Sequence, residues 1–220
     1  MRQYFCLLCE GLVFKKNRIM CSSCFNRFKS SKVRKRQEKG INHYYLFSWS
    51  KKNDFFYRRL VYFLKNKSED YFIQLAELFS YDKDPDLRKL LVSSNVVEYV
   101  CPKSSDHKSQ SDTRNKAHNS TYNHAQSLSK ALVKLYGSKR VLCMSALNTG
   151  FQKRKKSRKE RYEFQDSFYS SLESESTKEA SSWIFVDDVF VTGATCYKVS
   201  RQKGSSPQGV LSLFYREKEF

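Results

Sequence analysis

Glycine and proline are scarce in this chain, with 7 and 3 among 220 residues. That scarcity excludes collagen-like and low-complexity architectures, which need one or both in quantity. Acidic residues are also short: 22 Asp plus Glu stand against 41 Lys plus Arg, a formal net charge of +19. Such a balance favours polyanionic partners, whether nucleic acid, nucleotides or an anionic membrane surface, and the bland alternative is a Lys-rich proteome or a simple solubility device. No stretch approaches the roughly 18 consecutive apolar residues of a membrane span. The start, Met1-Arg2-Gln3-Tyr4-Phe5-Cys6, lacks the apolar run and small-residue cleavage site of a signal peptide. The expectation is a cytoplasmic protein, in which seven cysteines serve as thiols or metal ligands rather than disulfides. No internal repeat is present, and no G-x-x-x-x-G-K-[ST] segment, which removes the P-loop reading.

What is present is a chain able to fold. Apolar residues make up 40% and aromatics 15%, enough to build a core without staples at this length. Four of the seven cysteines fall in the first thirty residues, as Cys6-x2-Cys9 and Cys21-x2-Cys24 with eleven residues between the pairs. Each pair suits a tight knuckle, so that four thiolates converge on one tetrahedral Zn²⁺ as a closed, structural site. Chance core cysteines and a redox dithiol are the competing readings. Cys101, Cys143 and Cys196 read most simply as small buried residues.

Seven of the thirteen residues from Arg27 to Lys39 are Lys or Arg, and the run reads as a solvated linker or helix face. His43 to Trp49 is aromatic-rich and predicts a strand or hairpin. Helical spacing marks Asp54–Lys65, and a second helix follows Ser68 with Phe72, Leu75, Ala76 and Phe79 on its apolar face. Lys83-Asp84-Pro85-Asp86 reads as a turn. Val96–Val100 predicts a buried strand. The polar stretch Lys103–Ser120 predicts a functional or mobile loop. Ala125–Tyr136 predicts a helix stopped by Gly137, and Arg140–Met144 another strand. A strand at Trp183–Val186, a helix after Thr195 and a last strand at Gly209–Tyr215 complete the pattern. Alternation of strand and helix implies an α/β domain with a mostly parallel sheet flanked by helices.

The most informative segment is Trp183-Ile184-Phe185-Val186-Asp187-Asp188-Val189-Phe190-Val191-Thr192-Gly193-Ala194-Thr195. An apolar strand ends in two carboxylates, and a Thr-Gly-x-Thr turn opens a helix. Helix N-termini attract anions through free N–H groups and the helix dipole. Gly193 permits close backbone approach, and Thr192 and Thr195 add hydroxyl donors. Asp187 and Asp188 can accept hydrogen bonds from neighbouring ribose hydroxyls, directly or through Mg²⁺. The bland alternatives are a strand end followed by a capped helix, or an acidic metal pocket.

These residues resemble the phosphoribosyl-pyrophosphate motif of type I phosphoribosyltransferases. The four-cysteine ribbon upstream makes the whole similar to the ComF family of amidophosphoribosyltransferase-like competence proteins. Tyr57-Arg58-Arg59-Leu60 through Lys65, Val100-Cys101-Pro102, Tyr122-Asn123-His124-Ala125, and Gln152, Arg161 and Phe168 agree with that family in order and spacing. The departures are Val191 for Thr, Ser120-Thr121 for an Arg-Gly pair, His124 for Gln, Glu163 for Asn and Asp166 for Gly, and they bear on catalysis more than on the fold. The resemblance implies a zinc ribbon at 1–30, a basic linker with a short strand or hairpin at 31–52, and a phosphoribosyltransferase-like domain at 53–220. It further implies phosphoribosyl pyrophosphate or a related nucleotide bound with Mg²⁺. Thr192, Gly193, Ala194 and Thr195 would hold the 5-phosphate, and Asp187 and Asp188 the ribose. It also implies a role in DNA uptake during competence, with single-stranded DNA or competence proteins as partners. The alternative is a non-catalytic nucleic-acid-binding or adaptor protein on the same fold. For it the dense cations from Lys153 to Arg161, the basic run at Arg27–Lys39, and the aromatics Tyr44, Tyr45 and Trp49 would track a phosphate backbone.

Overall fold

The computed structural model describes residues 4–6, 9, 12–13, 19–30, 33–38, 40–50, 54–64, 69–93, 95–102, 123–137, 139–144, 182–191 and 193–216. The expectations placed on Lys103–Ser120, Ser120-Thr121, Lys153–Arg161, Lys65, Ser68, Tyr122, Gln152, Glu163, Asp166, Phe168 and Thr192 lie outside the described residues.

A two-stranded antiparallel hairpin, β1 (Tyr4–Phe5) and β2 (Leu12–Val13), precedes helix α1 (Ser22–Ser30). Then come β3 (Arg34–Glu38), β4 (Ile41–Trp49) and helices α2 (Asp54–Leu64), α3 (Glu69–Ser80) and α4 (Pro85–Val92). The second half alternates: β5 (Val96–Pro102), α5 (His124–Tyr136), β6 (Arg140–Met144), β7 (Ser182–Phe190), α6 (Ala194–Lys203) and β8 (Gly209–Arg216). Six strands form one sheet in the order β3-β4-β8-β7-β5-β6. All neighbours are parallel except β3, which pairs antiparallel with β4 at the edge. The architecture is therefore α/β with a mostly parallel sheet.

Parallel strands covered on both faces read as continuous apolar runs. Trp183 to Val186 on β7 and Val210, Leu211, Leu213 and Phe214 on β8 are accordingly buried. One face packs on Leu60 and Leu64 of α2, Phe72, Leu75 and Phe79 of α3, Leu87 and Leu91 of α4, and Leu128 and Leu132 of α5. The other carries Trp183, Phe185, Val210 and Tyr215 against Cys196 and Val199 of α6. His43 lies on this second face among Tyr45, Phe190 and Tyr215, its Nε2 2.8 Å from Ser212 Oγ. Burial, with the Arg36 charge, pushes its pKa down to about 3, so it stays neutral.

Three expectations change in detail. The cationic Arg34–Glu38 segment is an edge strand rather than a linker or helix face. Arg34, Lys35, Arg36 and Gln37 are exposed there, and charged side chains on an edge discourage pairing with another chain. Lys83–Asp86 is not only a turn: it starts α4. Asp84 Oδ1 caps that helix, accepting from the N–H groups of Asp86 at 2.8 Å and Leu87 at 3.1 Å, with Pro85 in the first turn. Finally, β7 does not stop at Val186. It runs to Phe190 because β8 keeps pairing with it, Val189 opposite Phe214 and Phe190 opposite Tyr215.

Candidate functional site

Strand order reverses between β5 and β7. From β5 the chain crosses through α5 to β6 on one side, and from β7 it crosses through α6 to β8 on the other. Ligands of open α/β sheets bind beyond the carboxyl ends of the strands at such a switch point. On the β5 side the ladder with β7 ends at Val100 opposite Phe185. Asp187 and Asp188 therefore project past that ladder while β8 still supports their backbone, Asp187 lying opposite Ser212. The structure brings together here the two carboxylates, the start of α5 and the start of α6.

Asp187 Oδ1 accepts from the Asp188 N–H at 2.9 Å, and Asp188 Oδ1 accepts from the Val189 N–H at 2.8 Å. Asp187 is buried, and the Asp188 side chain is one-third exposed. Asp188 Oδ2 meets His124 Nδ1 at 3.1 Å. An ionised carboxylate can only accept, so Nδ1 carries the proton. Burial alone would raise the Asp188 carboxyl, but the hydrogen bond and charge of His124 outweigh it and hold the group below the usual carboxylate range.

His124 is the first residue of α5, placed there by its neighbour. Asn123 caps the helix, its Oδ1 accepting from the Gln126 N–H at 3.1 Å, while its Nδ2 donates to the Pro102 carbonyl at 2.5 Å. One side chain thus ties the end of β5 to the start of α5 and aims His124 at β7. The His124 ring packs on Phe72, and Nε2 is buried without a hydrogen-bond partner among the described residues. In the sequence His124 stands out only as a departure from a family pattern. No local signal reveals its pairing with a residue 64 positions away.

Gly193 opens α6 with φ +68° and ψ −3°, the left-handed conformation that favours glycine. Among the described residues no side chain caps the helix, and no acidic residue occupies its first turn. The backbone donors at Ala194 and Thr195 therefore lie in a turn whose dipole favours an anion. Gly204, also left-handed, closes the helix.

The four N-terminal cysteines form a second centre. Their sulfurs all lie within 4.8 Å of one another, and Cys9 and Cys21 are 3.7 Å apart. A tetrahedron of thiolates at the usual zinc–sulfur bond length has edges of about 3.8 Å, so the donor set fits that ion. The Cys24 thiol is pushed up to about 12, first by burial and then by the three neighbouring thiols. Like groups crowded together resist a shared negative charge until a cation supplies the balance. The Cys21 sulfur accepts from the Cys24 N–H at 3.4 Å, the knuckle geometry expected of a C-x2-C pair. Gln74 of α3 clamps this knuckle to the sheet domain. Its Oε1 accepts from the N–H groups of Ile19 and Met20, and its Nε2 donates to the Met20 carbonyl.

Among the described residues no helix is long and apolar enough to cross a membrane. No family model matches the chain, and no curated protein does.

Proposed function

We propose that the chain is a ComF-like protein of the phosphoribosyltransferase type, binding phosphoribosyl pyrophosphate with Mg²⁺ at the β5–β7 switch point. The observation that carries the reading is the placement of Asp187 and Asp188 past the β5–β7 ladder at that switch point, shortly before the N-terminus of α6 at Gly193 in sequence. Carboxylates there suit the two ribose hydroxyls. The first-turn N–H groups of α6, with Gly193, Ala194 and Thr195, suit the 5-phosphate. Mg²⁺ usually keeps several waters and takes one or two protein carboxylates plus substrate phosphates. Two adjacent acidic side chains, Asp187 and Asp188, fit that habit, and the ion would supply charge neutralisation for a leaving pyrophosphate.

The chemistry of this reading is displacement of pyrophosphate from C1 of the ribose by a nitrogen nucleophile. This chain's part is positioning and electrostatics: the carboxylates hold the hydroxyls while positive charge develops at C1. His124 keeps Asp188 ionised and oriented. The four cysteines hold a structural zinc ion that fixes the N-terminal knuckles. A cytoplasmic role in DNA uptake belongs to the same reading.

A second reading, a nucleic-acid-binding protein that keeps the fold without the reaction, draws on the exposed cations Arg34, Lys35 and Arg36 along edge strand β3. Calorimetry with phosphoribosyl pyrophosphate and Mg²⁺, beside a DNA titration against salt, separates the two. The first reading expects saturable sugar-phosphate binding that Asp187→Asn with Asp188→Asn weakens at least about tenfold, roughly 1.4 kcal/mol, with the fold intact by circular dichroism. Unchanged affinity in that variant removes the site assignment. Absent sugar-phosphate binding together with DNA binding of steep salt dependence favours the second reading.

A further inference from the structure

Cys101 on β5 and Cys143 on β6 lie directly opposite one another in the parallel ladder, and their sulfurs are 3.2 Å apart. Residues paired in register project to the same face of the sheet, so the strand pairing sets the two side chains next to each other and their rotamers bring the sulfurs into contact. Cys101 is fully buried, and Cys143, one residue before the end of β6, is partly exposed. Both lie at the carboxyl ends of their strands, with Asp187 within electrostatic reach of Cys101. Neither thiol has a place in the zinc knuckles or in the sugar-phosphate reading.

We propose that Cys101 and Cys143 form a dithiol modification site, oxidised to an intramolecular disulfide by small-molecule disulfides. Forming the bond needs about 1.2 Å of closure between sulfurs. The more accessible Cys143 reacts first. Its thiolate attacks the reagent R–S–S–R, giving a Cys143–S–S–R mixed disulfide and R–S⁻. Cys101 then loses its proton, its sulfur attacks the Cys143 sulfur, and the second R–S⁻ leaves. The two departing thiolates take up the two protons released by the cysteines. In total two protein thiols are oxidised and one R–S–S–R is reduced to two R–SH. Burial, and then the neighbouring Cys143 thiol, keep the Cys101 thiol protonated well above its usual range. The second step is therefore the slower one and quickens with rising pH, while the contact distance supplies a high effective concentration of the resolving thiol. The product staples the carboxyl ends of β5 and β6 together.

The test uses the full zinc-loaded chain and oxidised glutathione, followed by alkylation of remaining thiols, proteolysis and mass mapping. The expected product is a peptide pair linked through Cys101 and Cys143, formed at least about tenfold faster in the native chain than in urea and reversed by dithiothreitol. Cys101→Ser is expected to halt at glutathione on Cys143, and Cys143→Ser to leave Cys101 unreacted. A native chain whose Cys143 carries stable glutathione without a cross-link overturns the proposal. So does cross-linking of Cys101 or Cys143 to Cys6, Cys9, Cys21 or Cys24. The mapping on the unaltered chain decides the matter even where a serine variant fails to fold, and it does not depend on sugar-phosphate binding.

Discussion

Two opposing effects meet at the Asp188 carboxyl. Burial favours the neutral acid, while His124 Nδ1–H and the Val189 N–H favour the anion and prevail. A carboxyl whose folded pKa is depressed contributes stability that is fully present above its unfolded value, about 3.9. That contribution disappears as pH falls through the lower folded value. His124→Ala removes the largest favourable partner, so the Asp188 carboxyl should titrate upward in carbon-13 NMR. The stability gap between parent and variant should be widest near neutral pH and narrow below about pH 4. His124→Gln, which can offer an amide donor, should recover part of the shift. Identical Asp188 titration in parent and His124→Ala would show that the contact carries no electrostatic weight. If Asp188 also positions a ribose, the alanine variant should bind phosphoribosyl pyrophosphate more weakly while the glutamine variant stays closer to the parent.

Among the elements, α4 is the clearest instance of a local signal passing unread. Asp84-Pro85-Asp86 carries a cap, a first-turn proline and a first-turn acid, and Leu87, Leu90 and Leu91 follow at helical spacing, all buried. Asp84→Ala should lower stability by about 1 kcal/mol in urea denaturation. Asp84→Asn, an equally good cap, should restore most of it. An asparagine variant as weak as the alanine would assign the loss to the Lys35–Asp84 ion pair at 3.4 Å instead. The other differences were not local at all. Arg34–Glu38 has no apolar alternation, and its strand exists because β4 offers a ladder. The extension of β7 to Phe190 depends on Phe214 and Tyr215 of β8. The longer helices and buried strands were legible because their apolar period is written in neighbouring residues. For the same reason the candidate centres were legible by residue type, as C-x2-C pairs and Asp187-Asp188. The contacts His124–Asp188 and Cys101–Cys143 were not, since strand pairing and helix packing join residues 64 and 42 positions apart.

At the scale of the whole molecule, the cysteine-bearing segment and the sheet domain share one core. Cys6, Val13, Ile19, Met20 and Phe25 belong to the same buried cluster as Leu75, Leu78 and Phe79 of α3. Gln74, itself buried, adds three hydrogen bonds across the junction. A unit joined in this way should not unfold alone. Metal analysis of the purified chain should find about one zinc ion, and chelation should lower the melting temperature of a single transition rather than detach a separate, earlier one. Gln74→Met keeps the side-chain volume but leaves the Ile19 and Met20 N–H groups without acceptors, at about 1–3 kcal/mol each if they stay buried. That variant should retain its zinc, melt lower, and exchange those two amide protons faster. Two resolved transitions in the parent chain, or unchanged exchange at Ile19 and Met20 in the variant, would instead make the cysteine knuckles an independent module resting on the sheet domain.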